Sequence, residues 1–337
     1  MTNLTVSEKK TPVILSAKDK IAILRANRYA MMILPFIVLA LTVVIFGLLT
    51  SGRFFRTSVL LGILSQTVII GTCATGVAFI YSNGNLDISI GAVMGFSATI
   101  GVLAYNSTGS PILLVAVSIA TATALMLFNC TLGIVFRIPT ITVAIIVTQI
   151  YSSITTLMIG GAGSIYIDSD TGSMLQTGPF RYTAFFAYFL LCIVIYHFTS
   201  VGRTLRFIGG NENCAVQAGM SRNRETYISF LVAGIGVGLA AVFNVINVNA
   251  VTLDTGGSMG MNVMLATVLG GMSIFGGSKS NCYAGFVGAL TVSALNRGLL
   301  MVGVPTAYIQ SIRGVVFLIL VFLNFERQRL LPGRDQF

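Results

Sequence analysis

Ten separate apolar stretches, each about as long as a membrane-crossing helix, constrain everything else this chain can become. They centre on Met31–Leu49, Val59–Ile80, Leu86–Tyr105, Ile112–Phe136, Ile141–Ile159, Tyr182–Phe198, Tyr227–Val248, Met261–Phe275, Ala284–Val302 and Ala307–Phe325. A hydrocarbon core about 30 Å thick is crossed by about 20 apolar residues of helix. The eighth stretch is short and rich in glycine, so its ends are the least sharply bounded. Only 9% of the residues are charged and 55% are hydrophobic, whereas a soluble domain carries about a quarter charged residues. The chain has too little polar surface for water, and the pattern predicts an all-α polytopic membrane protein. The 36 glycines suit helices that pack closely in a bilayer. Met31–Leu49 follows a basic stretch, as a signal peptide would, but it is long enough to span and lacks a small-residue cleavage site. It reads as a retained first span.

The net charge of +10 would suggest nucleic acid in a soluble protein. Here the charges lie between apolar segments, so they set topology, and no nucleic-acid partner is expected. With the N-terminus in the cytoplasm, Lys9, Lys10, Lys18, Lys20, Arg25, Arg28, Arg137, Arg203, Arg206, Arg222, Arg224, Lys279, Arg327, Arg329 and Arg334 all fall inside. Arg53, Arg56 and Arg181 fall outside, and Arg297 and Arg313 lie within spans. The asymmetry supports ten spans with both termini cytoplasmic. It predicts a cytoplasmic segment 1–30, a membrane domain 31–325 with a basic loop at 199–226, and a cytoplasmic tail 326–337. The long outer loop Gly160–Arg181 carries Asp168 and Asp170 and no lysine. Ten spans divide into two fives. An odd number per half would make the halves inverted copies, a plan many transporters use.

Covalent chemistry has no residues to work with. The sequence holds no nucleophile elbow, no zinc-protease helix and no phosphate-binding loop; Gly276-Gly277-Ser278-Lys279-Ser280 lacks the glycine such a loop needs before its lysine. The five cysteines, Cys73, Cys130, Cys192, Cys214 and Cys282, are odd in number and fall in spans or inner loops, which argues against a disulfide framework. With His197 the only histidine and no paired-cysteine spacing, a zinc site is not expected. His197 reads as interfacial.

Four stretches depart from plain apolar helix. In Asn83–Gly91, Asp87 is the only acidic residue between Asp19 and Asp168. A carboxylate there is either a hinge or pathway residue, together with Ser89 and Gly91, or a helix-start residue stabilised by the helix N-terminus. In Thr199–Thr226 the glycines Gly202, Gly209, Gly210 and Gly219 break up any long helix. A short helix from about Asn213 to Ala218, closed by Gly219, is predicted; the plainer reading is a basic loop held by anionic lipid. Gly270–Gly277 has four glycines in eight residues, which permits either a break or close packing. It and Asn83–Gly91 are candidate broken helices, one in each half. Gly91-x-x-x-Gly95 and Gly234-x-x-x-Gly238 are assigned to helix packing. Finally, Arg297, with Asn296 beside it, and Arg313 lie toward the outer halves of their spans. They either face a cavity or polar partner, or reach the outer surface along their stems.

These residues, in this order, resemble the ribose-type sugar permeases of bacterial ATP-binding-cassette importers. Gly84, Asp87, Ser89 and Gly91 match a G-G-I-D-L-S-V-G stretch. Ile138-Pro139 resembles the I-P before the fifth span. Gly202-Arg203 and Ile208-Gly209-Gly210-Asn211, then Ala215 and Gly219, are similar to the G-R…I-G-G-N and E-A-A-x-x-x-G of the coupling segment. Gly270-Gly271, Ser273 and Gly276-Gly277 resemble G-G-x-S-x-x-G-G, and Asn296, Gly298, Gly303-Val304 and Gly314 resemble the last two spans. The resemblance implies an inner-membrane permease pairing with a second copy of itself or with a related permease. Two ATPase subunits would dock on the coupling segment Asn211–Met220, chiefly through Gly202, Arg203, Gly209, Gly210, Asn211, Glu212, Asn213, Ala215 and Gly219. A periplasmic or lipoprotein-borne binding protein would deliver the sugar. ATP and magnesium would be bound by the ATPase and no cofactor by this chain, which would not itself be an enzyme. The pathway and hinge would draw on Asp87, Ser89, Gly91, Gly270, Gly271, Ser273, Asn296, Arg297 and Arg313. Departures concern detail: Asn213 stands at the coupling glutamate with Glu212 one place earlier, Cys214 replaces an alanine, Ser152-Ser153 replace R-G, and Gly260 replaces a glutamate. A nucleoside or branched-chain amino-acid permease is the near alternative. An ion-coupled secondary transporter is the alternative of another class, and a membrane scaffold a third.

Overall fold

The computed structural model describes residues 28–168, 175, 180–272, 276–277 and 280–329. Twelve helices are described: α1 Arg28–Leu49, α2 Thr57–Ser82, α3 Ile90–Thr108, α4 Pro111–Val135, α5 Thr140–Ile159, α6 Phe180–Phe198, α7 Ser200–Gly210, α8 Glu212–Gln217, α9 Arg222–Val248, α10 Met259–Leu269, α11 Ala284–Met301 and α12 Thr306–Arg329. Each of the ten apolar stretches contains all or part of one of these helices. Seven, α2 to α6, α9 and α11, are long and apolar enough to cross a membrane. The chain is a polytopic helical membrane protein.

The elements differ from the sequence expectation in four places. The third helix starts at Ile90, not Leu86, because Gly84 takes φ +78° and Asn83–Ser89 runs unwound. α10 stops at Leu269 instead of continuing to Phe275: Gly270 caps it, and Gly271, at φ +87°, turns the chain away. The loop 199–226 holds two helices, α7 and α8, where one was expected. The fold is also not purely helical. Strand β1, Ser164–Tyr166, pairs antiparallel with β2, Ala250–Thr252. The ribbon gives two connecting segments mutual partners for backbone groups that have no helix to bond within.

α2 and α9 form the centre. α2 is buried without interruption from Thr67 to Ser82, and α9 is buried along most of its length. α2 packs against α9, α11, α10 and α6, and α4 lies along α9 and α3. Inside a bilayer no hydrophobic effect presses helix on helix, so close van der Waals fit must do it. Glycines supply that fit. A Cβ on Gly234 would sit 2.6 Å from Thr123 Cα, and one on Gly238 2.5 Å from Ile119 Cα, so α9 lies directly on the α4 backbone. On the other side of the core, a Cβ on Gly285 would sit 2.7 Å from the Ala74 carbonyl carbon, locking α11 to α2. The outer helices turn apolar rows outward, as on α1 with Ile33, Phe36, Ile37, Leu41, Val44 and Leu48. In lipid such a row needs no cover.

The connections sort onto two ends. At one, the basic end, Ser82 meets Gly277, whose N–H donates to Ser82 O at 3.3 Å, and Asn83 donates to Thr226 Oγ1 at 2.8 Å. At the other, the ribbon end, β1 and β2 pair, and Asn106 Nδ2 donates to Tyr166 O at 3.2 Å. Loops that the charge pattern assigned to a common side touch one another.

Gly238→Val should force α9 off α4. Overpacking of this kind costs about 1–3 kcal/mol, so the thermal unfolding midpoint in detergent should fall by several degrees, whereas Gly109→Asn, at an open left-handed site, should leave it nearly unchanged.

Candidate coupling and translocation site

The stretch 199–226 folds against the bundle through a single face of α7. Gly202, Leu205 and Ile208 are buried at helical spacing, while Arg203 is exposed. Gly202 must be glycine because a Cβ there would overlap the Tyr196 carbonyl, where α6 hands over to α7. α8 follows at once. Asn211 caps it, its side chain accepting from the Cys214 N–H at 3.1 Å, and Gly219 closes it at φ +79°. Asn capping and left-handed glycine closure are the ordinary start and stop signals of a helix. Ala215 is buried, whereas Asn211, Glu212 and Asn213 are exposed, and Glu212 pairs with Arg222 at the start of α9. Gly210 has open space where a Cβ would lie, so the steric demand falls on Gly209.

Gly209 is where distant parts of the chain converge. A Cβ there would overlap Ser82 O at the end of α2 and come within 2.8 Å of Gly277 N. Gly276, at φ +74°, lies equally close to Gly84 N and Tyr81 O, each 2.7 Å from its Cβ position. Backbones from α2, α7 and the α10–α11 connection thus meet at van der Waals contact. Tyr196 fastens them: its hydroxyl bonds Ser82 Oγ at 2.7 Å and Ser280 O at 2.9 Å, and the Arg206 guanidinium lies 5.3 Å from its ring centre. Gly270 packs on the start of α11, where a Cβ would overlap Ala284 O. Ser273 lies outside the described residues.

Asp87 precedes α3; it is not in its first turn. Its carboxylate is buried and accepts from Ser89 N at 2.7 Å and Ser89 Oγ at 2.6 Å. Ser89 Oγ in turn accepts from Asn129 Nδ2 at 3.0 Å, and Asn129 Oδ1 from Tyr151 OH at 2.7 Å. Every proton in this row points toward the carboxylate, which satisfies a buried charge through neutral donors. The row joins the unwound segment to α4 and α5. On the other side, Gly91 and Gly95 face the turn 253–258 between β2 and α10: a Cβ on Gly91 would overlap Gly256 O, and one on Gly95 Thr255 O. Reciprocally, a Cβ on Gly256 would sit 3.0 Å from the Gly91 carbonyl carbon, and one on Gly260 3.0 Å from Ile88 O. The turn after β2 therefore meets the start of α3, and the unwound stretch 83–89 meets the start of α10 at Ile88 and Gly260 as well as Gly276 at Gly84, each by close backbone approach.

A cavity of about 430 Å³ lies between α2, α9, α10, α11 and the turn 253–258, at the ribbon end. Arg297 lines it, its guanidinium 3.6 Å from the position a Gly62 Cβ would take. Arg313 reaches the same wall indirectly, donating to Asn262 Oδ1 at 2.5 Å. Asn296 is buried beside them. Sequence reasoning passed over Gln66, Asn244, Asn247 and Asn262, which also line the cavity, and over Arg181, which is buried and bonds Ser65 O and Asn247 Oδ1. The available signal was an amide within each apolar run, with Asn244 and Asn247 one helical turn apart. A second crevice of about 560 Å³, lined by Asn85, Arg137, Arg222 and Thr226, opens at the basic end. Among the described residues no group of His, Cys, Asp and Glu is placed to hold a metal ion.

Gly209→Val should lift α7 from Ser82 and Gly277 while the chain stays in the membrane. Trypsin should then cut 199–226 about tenfold faster in membrane vesicles, and Gly210→Ala should cut at the unaltered rate.

Comparison with known proteins agrees with this arrangement. Residues 59–321 match the family described as branched-chain amino acid transport system / permease component. The autoinducer 2 import system permease protein LsrD of Salmonella typhimurium is 28% identical over 319 residues, covering 90% of this chain and 95% of the relative. The ribose import permease proteins RbsC of Bacillus subtilis and of Escherichia coli K12 are 26% and 24% identical, covering 87% and 82% of this chain and 92% and 89% of theirs. No solved structure matches. With a family match running from α2 into α12 and the glycine contacts in place, the chain belongs to the permease component family of branched-chain amino acid-type transport systems.

Proposed function

We propose that the chain is the membrane subunit of an ATP-driven importer in the bacterial inner membrane, and that it passes a sugar of the ribose class. The observation that carries this reading is the seating of α7 and α8. A surface helix pair that protrudes from the basic end yet touches α2 and the α10–α11 connection by backbone contact at Gly209 is built to transmit a push. Flexible side chains would absorb a displacement of an ångström; backbones in contact pass it on. An ATPase docked on the exposed Arg203, Asn211, Glu212 and Asn213 would move this pair, and α2 would move with it. The sequence has no phosphate-binding loop, so ATP and magnesium are assigned to the docked subunit. The sugar is supported by the names of the relatives, two of them ribose import permeases.

The same reading gives ten spans with both termini cytoplasmic, a membrane domain over 31–325, the coupling loop at 199–226 and short cytoplasmic segments at 1–30 and 326–337. Its support is the gathering of the arginine-rich connections at one end. The order of elements also favours two inverted halves. α2, an unwound stretch and α3 in the first half correspond to α9, an unwound stretch and α10 in the second. The unwound stretch after α9 meets the start of α3 at Gly256 and Gly91, and the one after α2 meets the start of α10 at Ile88 and Gly260, as parts related by an internal two-fold axis would. Two such permeases, identical or related, would pair, and an extracytoplasmic binding protein would deliver the solute to the ribbon end.

Affinity purification from the native membrane tests the reading: an ATPase with a phosphate-binding loop should co-purify. Arg203→Glu should lower its recovery by about threefold, since an exposed charge contact is worth up to ~1 kcal/mol. Recovery of the chain alone, with transport persisting in vesicles without ATP, would replace this reading with an ion-coupled transporter.

A further inference from the structure

The ribbon-end cavity has a composition that packing does not explain. Its wall draws Gln66 from α2, Asn244 and Asn247 from α9, Asn262 from α10, Arg297 from α11 and Asp254 from the turn before α10. Polar side chains within membrane helices are costly, and a set converging from four helices is the mark of a pathway or binding site. Their hydrogen bonds sharpen the point. Asn247 Oδ1 accepts from Ser65 Oγ at 2.9 Å and from Arg181 Nη1 at 3.4 Å, and Asn262 Oδ1 accepts from Arg313. These bonds fix the orientation of two amides. The side chains of Gln66 and Asn244 have no hydrogen-bond partner among the described residues, and the Arg297 and Asp254 side chains form no ion pair there.

We infer that this cavity is a holding chamber for a neutral polyhydroxylated solute, entered from the ribbon end before the contact of Gly256 with Gly91 of α3 opens. The inference rests on the importer reading and adds the place and chemistry of the solute inside this chain. Each amide offers both donors and an acceptor, which matches a hydroxyl group, itself donor and acceptor. Arg297 donates to hydroxyl or ring oxygens, and Asp254 accepts from a hydroxyl. One positive and one negative group leave the wall without a net preference for ions. A hard cation would need a cage of several oxygens, and a phosphorylated solute would need more than one arginine. A volume of about 430 Å³ lies within the usual range for small-molecule sites, about 300–1,000 Å³. Thr255 and Gly256, which line the chamber, lie in backbone contact with Gly95 and Gly91 of α3, so a solute held there would wait for these elements to part.

The chain contains no tryptophan, which gives a clean reporter. Val248, exposed at the end of α9 on the cavity wall, can be replaced as Val248→Trp in the full-length chain in lipid nanodiscs. D-ribose, D-xylose or D-galactose should change the emission saturably. Adding Asn244→Leu or Gln66→Leu should raise the half-saturation concentration by about tenfold, the loss expected when a ligand hydroxyl faces an apolar group. Calorimetric titration of the unaltered chain with the same sugars provides the measurement free of the reporter. A saturable response to L-leucine or to sodium chloride in place of the sugars would overturn the assignment of solute class. Silence to all three sugars in both measurements would overturn the chamber itself, while co-purification of the ATPase would still uphold the importer.

Discussion

Lipid offers no partner to an unwound backbone, and the whole fold follows from where this chain can put one. Two stretches, 83–89 and 249–258, leave helical conformation inside the bundle. Each is covered by the helix start that follows the other. Gly256 meets Gly91 of α3, Ile88 meets Gly260 of α10, and Asp87 ties the first stretch back to α4 and α5 through Ser89, Asn129 and Tyr151. α2 and α9 must therefore lie at the centre, because they carry the two breaks there. The remaining helices shield them.

The same economy of side chains links the basic end to these contacts. α7 rests on Ser82, the last residue of α2, and the unwound stretch begins at the next residue. A displacement of α7 would thus be felt at the root of that unwound segment. Tyr196 holds the junction by hydrogen bonds that can be exchanged one at a time, whereas the glycine contacts cannot be compressed. Such a joint combines a rigid push with a breakable latch.

Much of this was legible in the sequence. The ten apolar stretches found their helices because length and hydropathy are properties of each segment alone. The glycine pairs Gly234/Gly238 and Gly91/Gly95 announced close packing, and Asn211 with Gly219 announced α8. What stayed hidden depends on partners far along the chain. Asn83–Gly91 and Gly270–Gly277 stood out as breaks, and the structure brings Gly84 against Gly276; hidden was that Gly91 also meets 249–258, whose Thr252-Leu253-Asp254-Thr255-Gly256 reads as an ordinary loop. Gln66 and Asn244 were invisible for the opposite reason, since a single amide hardly changes the hydropathy of a long apolar run. The strand Ser164–Tyr166 is too short for its alternation to register.

The buried central pair has a further physical consequence. α2 and α9 contain 26 and 27 residues, about 39–40 Å of helix at 1.5 Å per residue, well beyond a hydrocarbon core of about 30 Å. A lipid-facing helix of that length would tilt or thicken the bilayer around it. Most of their length is buried inside the bundle, so they feel the mismatch less, and membrane thickness acts on the protein mainly through its outer helices. Bilayers of different thickness would then tilt α1, α4, α5 and α6 while leaving the central axis at its own length.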